Sequence, residues 1–125
     1  NHMAGAMMVY RSDEERKILF ASDQVIDLFE CKDWQDFMNY SGSSFNRLIS
    51  ADVKQYIDRE RAKIITSSDT ESDIEFLEYQ VMTKKGHIKN ILSAGHYHVN
   101  AFHGGVFYVT LFEKEHLRVE KRDRK

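Results

Sequence analysis

Apolar residues in the second half of the chain fall into three runs with a spacing typical of β-strands. The three runs are Ile74–Thr83, Ile88–Asn100 and Val106–Phe112. Gly86, in the polar stretch after the first run, supplies the positive φ that a tight hairpin needs. Gly104 and Gly105 separate the second run from the third. The pattern therefore predicts an antiparallel meander of three strands.

The third run is apolar on both sides of an extended chain, because Phe107, Val109 and Leu111 alternate with other apolar residues. Both faces of the sheet are therefore expected to need cover, one from the helices and the other from a partner. We predict a homodimer through the outer sheet face. The candidate residues of this dimer face are Met8, Tyr10, Val106, Tyr108 and Phe112.

The first half of the chain predicts two strands followed by helices. The strands are Met7–Arg11 and Lys17–Ala21, the short helices are Gln24–Glu30 and Asp33–Tyr40, and the longest helix is Ala51–Ser67. On the long helix, apolar positions near Val53 and Ile57 predict an inner stripe, with charged residues such as Asp58 and Arg61 outside.

This order predicts an α+β fold: a five-stranded antiparallel sheet with short helices and one long helix packed on one face. Residues 1–6 are interpreted as an expression-tag remnant and tail, 7–113 as the domain, and 114–125 as the start of a helical connector to a downstream domain. The last segment is highly charged and has only Leu117 and Val119 as apolar anchors.

Composition narrows the function classes. At 125 residues the chain is expected to form one domain, and its net charge of −2 provides no field that would attract nucleic acid or a membrane surface. No apolar run approaches the roughly 20 residues of a membrane span. A single cysteine, Cys31, excludes an internal disulfide and fits a reducing cytoplasm. Catalytic triads, phosphate loops and metal-ligand motifs are absent, so an enzyme is not expected.

The order of several segments resembles the PAS family of sensory domains over about Met8 to Lys114. The segments are Ile18–Ser22, Val25–Cys31, Asp33–Phe37, Gly42–Phe45, Leu48–Asp52, Glu78–Val81 and Lys84–Gly86. In the segment before the long helix, Ser50 and Ala51 stand where the family usually has histidine and proline. The nearest resemblance is to PAS modules that precede diguanylate cyclase domains in bacterial signalling proteins, and it implies a regulatory sensor acting on an effector in the same chain.

The resemblance also implies where a small ligand would bind, since the family builds its cavity between the helices and the sheet. The pocket candidates are Phe29, Trp34, Phe37, Met38, Phe45, Tyr56, Tyr79, Asn90 and Ser93. Tyr79, Asn90 and Ser93 are the polar members that could fix a ligand among apolar walls. The alternative is a filled core and a pure dimerisation or protein-interaction domain without a ligand.

Haem and flavin are disfavoured as cofactors, and the small ligand has no identity at this point. Flavin-adduct cysteines of light-oxygen-voltage (LOV) domains lie in an asparagine-cysteine-arginine-phenylalanine segment, which is absent here, so Cys31 is interpreted as a buried structural residue. Haem-binding PAS domains place a histidine on or beside the long helix, and Ala51–Ser67 contains none.

Three histidines leave two interpretations open. His96 and His98 share a strand face, and His103 follows across the turn, so a three-imidazole metal site is conceivable. A surface or dimer-facing pair of histidines is the favoured interpretation, and we expect no metal site.

Overall fold

Five strands and three α-helices make up the computed structural model, which describes residues 6–67 and 71–114. In chain order they are β1 Met7–Arg11, β2 Ile18–Ala21, α1 Asp23–Leu28, α2 Trp34–Ser41, a 3-10 helix Phe45–Leu48, α3 Ala51–Ser67, β3 Glu75–Met82, β4 Ile88–Asn100 and β5 Gly104–Glu113. Predicted and observed bounds differ by no more than two residues at any end of the predicted strands and helices.

The strands form one antiparallel sheet in the order β2-β1-β5-β4-β3. The meander β3-β4-β5 extends into the N-terminal hairpin because β1 pairs with β5, with Met8 opposite Val109 and Tyr10 opposite Phe107. The helices lie in the chain between β2 and β3 and contribute buried side chains to one core with the sheet. The predicted α+β fold with a five-stranded antiparallel sheet is confirmed.

Local chemistry explains where α2 begins and ends. Asp33 precedes the helix, and its carboxylate accepts a hydrogen bond from the Asp36 amide at 2.8 Å, which satisfies one of the free donors of the first turn. Gly42 ends the helix in the left-handed conformation, with φ of 61°, and its amide donates to the Met38 carbonyl. The Asp33 carboxylate and the absence of a side chain at Gly42 thus suit the two ends of this helix.

The register assigns each strand residue to one of two faces. The inner face carries the buried side chains of β3 and β4, such as Leu77, Tyr79 and Ile91. The outer face carries exposed Met7, Phe20 and Phe76, together with partly exposed residues of β4 and β5. In the part of the chain that the structure describes, no helix is long and apolar enough to cross a membrane.

Three of the five dimer-face residues are corrected by this register. Met8 and Tyr10 are 0% exposed and belong to the core, because they lie opposite inward-facing residues of β5. Val106 is on the outer-face parity but is buried by its own chain, so it offers no surface to a partner. Tyr108 and Phe112 do lie on the outer face and are half-buried.

The long helix differs from its prediction at Arg61. Its side chain was expected on the outer side of the helix but is 1% exposed, whereas its neighbour Ala62 is exposed. Arg61 follows Ile57 by four residues, so the two share the helix face that packs on the sheet. The predicted tag remnant (apart from Ala6) and connector (apart from Lys114) lie outside the described residues.

Candidate ligand site on the inner sheet face

Five of the nine predicted pocket residues meet in the core between the helices and the sheet. They are Phe29, Phe37, Phe45, Tyr79 and Ser93, and all are buried. The Phe29 and Phe37 ring centroids are 5.7 Å apart, and the Phe45 ring meets the Tyr79 ring edge-on at 6.1 Å. Three of the predicted aromatic residues, together with Tyr79 and Ser93, therefore share this core.

The other four predicted residues lie at the margin of this core or away from it. Met38 and Tyr56 are partly buried and pack against the core. Trp34, at the first position of α2, is 41% exposed and does not belong to the buried core. Asn90 lies on the outer face, where its side chain accepts a hydrogen bond from Gln80 at 3.2 Å. Asn90 and Ser93 are three residues apart on one strand, so they cannot share a face.

Arg61 brings a positive charge from α3 to the inner sheet face. Its Nη1 donates a hydrogen bond to the Tyr10 hydroxyl, and its Nε lies 2.5 Å from Glu75 Oε1. The guanidinium carbon stands 4.3 Å from the centre of the Phe107 ring, a distance suited to a cation–π contact. Arg61, Glu75, Tyr10, Tyr79 and Ser93 are called the inner polar cluster below.

The charges of this cluster are strongly affected by burial. Burial lowers the pKa of Arg61, but the oxygen groups of Tyr10, Tyr79 and Glu75 more than offset it, so the net shift is upward and Arg61 stays a cation. Burial raises the pKa of Glu75, and the opposing attraction of Arg61 is too weak to reverse this. Burial also raises the pKa of Tyr79, which keeps its hydroxyl neutral.

Several polar atoms of the cluster are buried without a hydrogen bond to any described residue. They are Arg61 Nη2, Tyr79 Oη and Ser93 Oγ, and the close contact of Arg61 Nε with Glu75 Oε1 lacks hydrogen-bond alignment. The Tyr79 and Ser93 hydroxyls are nevertheless close enough for Ser93 to offset part of the rise that burial causes in the pKa of Tyr79. Buried polar groups in folded proteins are nearly always paired, and leaving one unpaired costs about 1–3 kcal/mol. The inner polar cluster therefore has unused capacity to bind a polar group.

Gly95 on β4 gives the cluster its room. A Cβ atom at this position would lie 3.3 Å from Glu75 Oε1, 3.3 Å from Val109 Cγ1 and 3.6 Å from Arg61 Nη2. A Cβ here would be tight against the Glu75 carboxylate and Val109 and in ordinary contact with the guanidinium. A larger side chain would compete with Glu75 and Arg61 for this part of the inner face.

Arg61, Glu75 and Tyr10 were not among the predicted pocket residues. Arg61 could have been suspected from its i+4 spacing to Ile57, and Glu75 from its alternation with Leu77 and Tyr79 on the inward side of β3. Tyr10 was assigned to the opposite face, because a five-residue strand with apolar residues on both parities does not fix its own register.

Cys31 is buried, as predicted, but not within the cluster. It follows the end of α1, and its thiol donates a weak hydrogen bond to the Phe29 carbonyl at 3.6 Å. Burial raises the pKa of this thiol, which disfavours the reactive thiolate.

His96 and His98 occupy the outer face beside Tyr108, with ring centroids 6.2 and 6.3 Å from the tyrosine ring. His96 Nε2 lies 3.0 Å from a carboxylate oxygen of Glu71. Across residues 6–67 and 71–114, no three histidine, cysteine or acidic side chains converge as a metal site would require. His96 and His98 thus share the outer face, as the alternation of strand side chains predicted.

No protein-family model matches the chain, and no curated protein is significantly similar to it. Among solved structures, that of an RsLOV variant is similar, with a TM-score of 0.60 and 13% sequence identity. The match covers 90% of this chain, which spans 61% of the length of that protein. RsLOV is a LOV domain protein, and LOV domains are members of the PAS family. The sequence-based expectation of a PAS-like architecture is therefore confirmed: the chain has a LOV-like, five-stranded PAS fold.

Proposed function

We propose that the chain is a PAS-type sensor module of a bacterial signalling protein. The module binds a small ligand in its core, or dimerises, or does both, and thereby controls a downstream effector such as a diguanylate cyclase. The observation that carries the sensor proposal is the inner polar cluster. A charged residue and unpaired hydroxyls lie where this fold has its interior, between Phe45 on one side and the sheet on the other.

Polar groups that converge among aromatic walls are the usual design of a small-molecule site. A core that only held the fold together would gain stability if the cluster were replaced by well-packed apolar residues. Arg61, Tyr79 and Ser93 therefore support a ligand-binding function more directly than a purely structural one.

The chain's residues do not fit a cysteine-adduct flavin site, although the similar solved structure is that of a LOV protein. Cys31 lies after α1 with its thiol turned to the Phe29 carbonyl, and the inner face carries the Arg61–Glu75 ion pair. We expect purified protein to lack an absorbance band between roughly 350 and 500 nm, where flavin and haem absorb.

Native mass spectrometry of the purified protein tests the sensor proposal. We expect a population heavier than the bare polypeptide that loses its extra mass on denaturation, and a smaller share of that population in Arg61→Met. If wild type and variant both carry only the polypeptide mass, and a small-molecule library shifts the melting temperature of neither, ligand sensing is excluded.

A second candidate function is dimerisation or protein interaction with no ligand in the core. It is favoured by the fully buried Phe29, Phe37 and Phe45, which fill much of the interior, and by the apolar outer face. Exposed Met7 and Phe76 flank the central outer-face residues of β4 and β5. Sedimentation, described in the Discussion, tests this surface independently of any ligand.

A further inference from the structure

We propose that the ligand of the inner polar cluster is a small monocarboxylate, which binds by replacing Glu75 as the counter-ion of Arg61. The inference rests on the proposed sensor function and specifies its ligand class. Glu75 is then an internal competitor: its carboxylate occupies the place of the ligand until the ligand displaces it.

The first step concerns the donors that Arg61 has free. A guanidinium presents a planar fork that holds a carboxylate through two parallel hydrogen bonds. Nη1 is used by the Tyr10 hydroxyl, whereas Nη2 has no described partner and Nε has only the poorly aligned contact with Glu75. The Nε and Nη2 edge of the fork is therefore available to a carboxylate that approaches in its plane.

The second step concerns where Glu75 is held. It is the first residue of β3, which is an edge strand of the sheet, and its side chain is 14% exposed while that of Arg61 is 1% exposed. Burial raises the pKa of Glu75, and the negative charge of Glu60 adds to that effect. Because Glu75 lies at the edge of the core, its carboxylate can turn outward to solvent when a ligand carboxylate takes its place beside Arg61.

The third step concerns the unpaired hydroxyls. Tyr79 and Ser93 lie on adjacent strands of the inner face, and Tyr79 is near enough to Arg61 for the two groups to affect each other's pKa. Both hydroxyls can donate a hydrogen bond to a ligand oxygen. They would bind the part of a carboxylate ligand that the guanidinium does not reach, in place of the contact that the two hydroxyls now make with each other.

Charge and space favour a monocarboxylate over a phosphate. Arg61 is the one buried cation of the cluster, so a single negative charge balances it, whereas a dianion would leave a buried charge unpaired. The position that Glu75 vacates is bounded by Gly95 and Val109, with 3.3 Å between the Glu75 oxygen and the site of a Cβ on Gly95. This position now holds the one carboxylate of Glu75, which a ligand carboxylate would replace.

Acetate is the test probe, and acetamide, which has nearly the same shape without the charge, is the matched control ligand. Binding is followed by the NMR signal of the Arg61 Nε–H group in wild type, Glu75→Gln and Glu78→Gln. Glu78 is the control position, because it lies on the same strand but on the outer face. We expect acetate to shift the signal, with at least ~10-fold higher affinity for Glu75→Gln than for wild type, or about 1.4 kcal/mol. Glu78→Gln should match wild type.

Conservative variants test the hydroxyls. In the Glu75→Gln background, Tyr79→Phe and Ser93→Ala should each weaken acetate binding several-fold, because each removes one donor and little volume. The proposal is overturned if acetate binds wild type and Glu75→Gln equally, or if acetamide binds as well as acetate. In the second case the sensor proposal stands with a neutral ligand. If neither probe binds, the carboxylate inference fails, while native mass spectrometry still decides the sensor proposal separately.

Discussion

At the scale of single residues, the energetics of the core depend on charge as much as on apolar packing. Removing a guanidinium from water costs several kcal/mol, which its partners must offset. Arg61 has the Tyr10 hydroxyl, the Phe107 ring and Glu75 for this purpose. Glu75 loses hydration in turn, and its raised pKa indicates that the pair leaves this carboxylate worse off than in water.

The pH dependence of stability should report the raised pKa of Glu75 directly. Because the folded state raises the pKa of Glu75, the folded protein holds the proton more tightly than the unfolded chain. The contribution of Glu75 to stability is therefore full below its usual pKa of 4.5 and is lost as the pH rises through the folded-state value. We expect the unfolding free energy of wild type relative to Glu75→Gln to fall with rising pH in that window, measured by urea denaturation. A difference that increases with pH would mean that Arg61 lowers the pKa of Glu75 instead.

The aromatic residues of α2 offer a matched pair of substitutions. Phe37 is fully buried against Phe29, so Phe37→Ala should lower the unfolding free energy by about 3–5 kcal/mol. Trp34 lies one turn earlier and is 41% exposed, so Trp34→Ala should cost no more than about 1.5 kcal/mol. Chemical denaturation of both variants shows which substitution lowers the unfolding free energy more. Equal losses of unfolding free energy would contradict the placement of Trp34.

At the scale of elements, the sequence could predict where strands and helices lie because local chemistry sets them. Asp33 and Gly42 bound α2 through a side-chain cap and a left-handed residue, and both features depend on residue type alone. The turn at Gly86, with φ of 90°, follows the same logic. The local pattern could not predict which side of each strand faces the core. β1 has apolar residues on both sides, and only its pairing with β5 determines which of them point inward.

The cap of α2 should contribute measurably to stability. Asp33→Ala removes the acceptor for the Asp36 amide, which is expected to cost about 1 kcal/mol of unfolding free energy. Asp33→Asn keeps an acceptor oxygen and should retain most of that stability, so it is the control. Thermal and urea unfolding give the two values. If Asp33→Asn is as unstable as Asp33→Ala, the charge of Asp33 matters rather than its hydrogen bond.

At the scale of the whole molecule, the two faces of the sheet have different tasks. The inner face combines the core with the inner polar cluster, and the outer face presents apolar side chains with few charges. The sequence predicted both that the sheet has two apolar faces and that its interior holds Tyr79 and Ser93. It placed Arg61 outside, because a charged residue on a long helix is usually solvated, and its i+4 spacing from Ile57 was the one signal for the interior. In the structure Arg61 contacts Tyr10, Glu75 and the Phe107 ring there.

The outer face leads to the final prediction, a homodimer. Tyr108 lies at its centre beside His96 and His98, and Phe76, 67% exposed, lies toward one edge. Apolar patches of this kind commonly mark an interface, and a twofold axis lets one patch cover its own copy. We expect sedimentation at micromolar concentration to show a dimer for wild type and a monomer for Tyr108→Glu. The substitution would bury an unpaired carboxylate from each copy in the dimer interface.

Phe102→Glu is the matched control for this experiment. Phe102 is 93% exposed in the turn between β4 and β5, away from the centre of the face, so the same added charge should leave the dimer intact. If both variants dissociate the dimer, general repulsion and not the outer face explains the effect of Tyr108→Glu. A monomeric wild type would contradict association altogether. It would leave the inner polar cluster as the only feature of the described residues on which a regulatory role could rest.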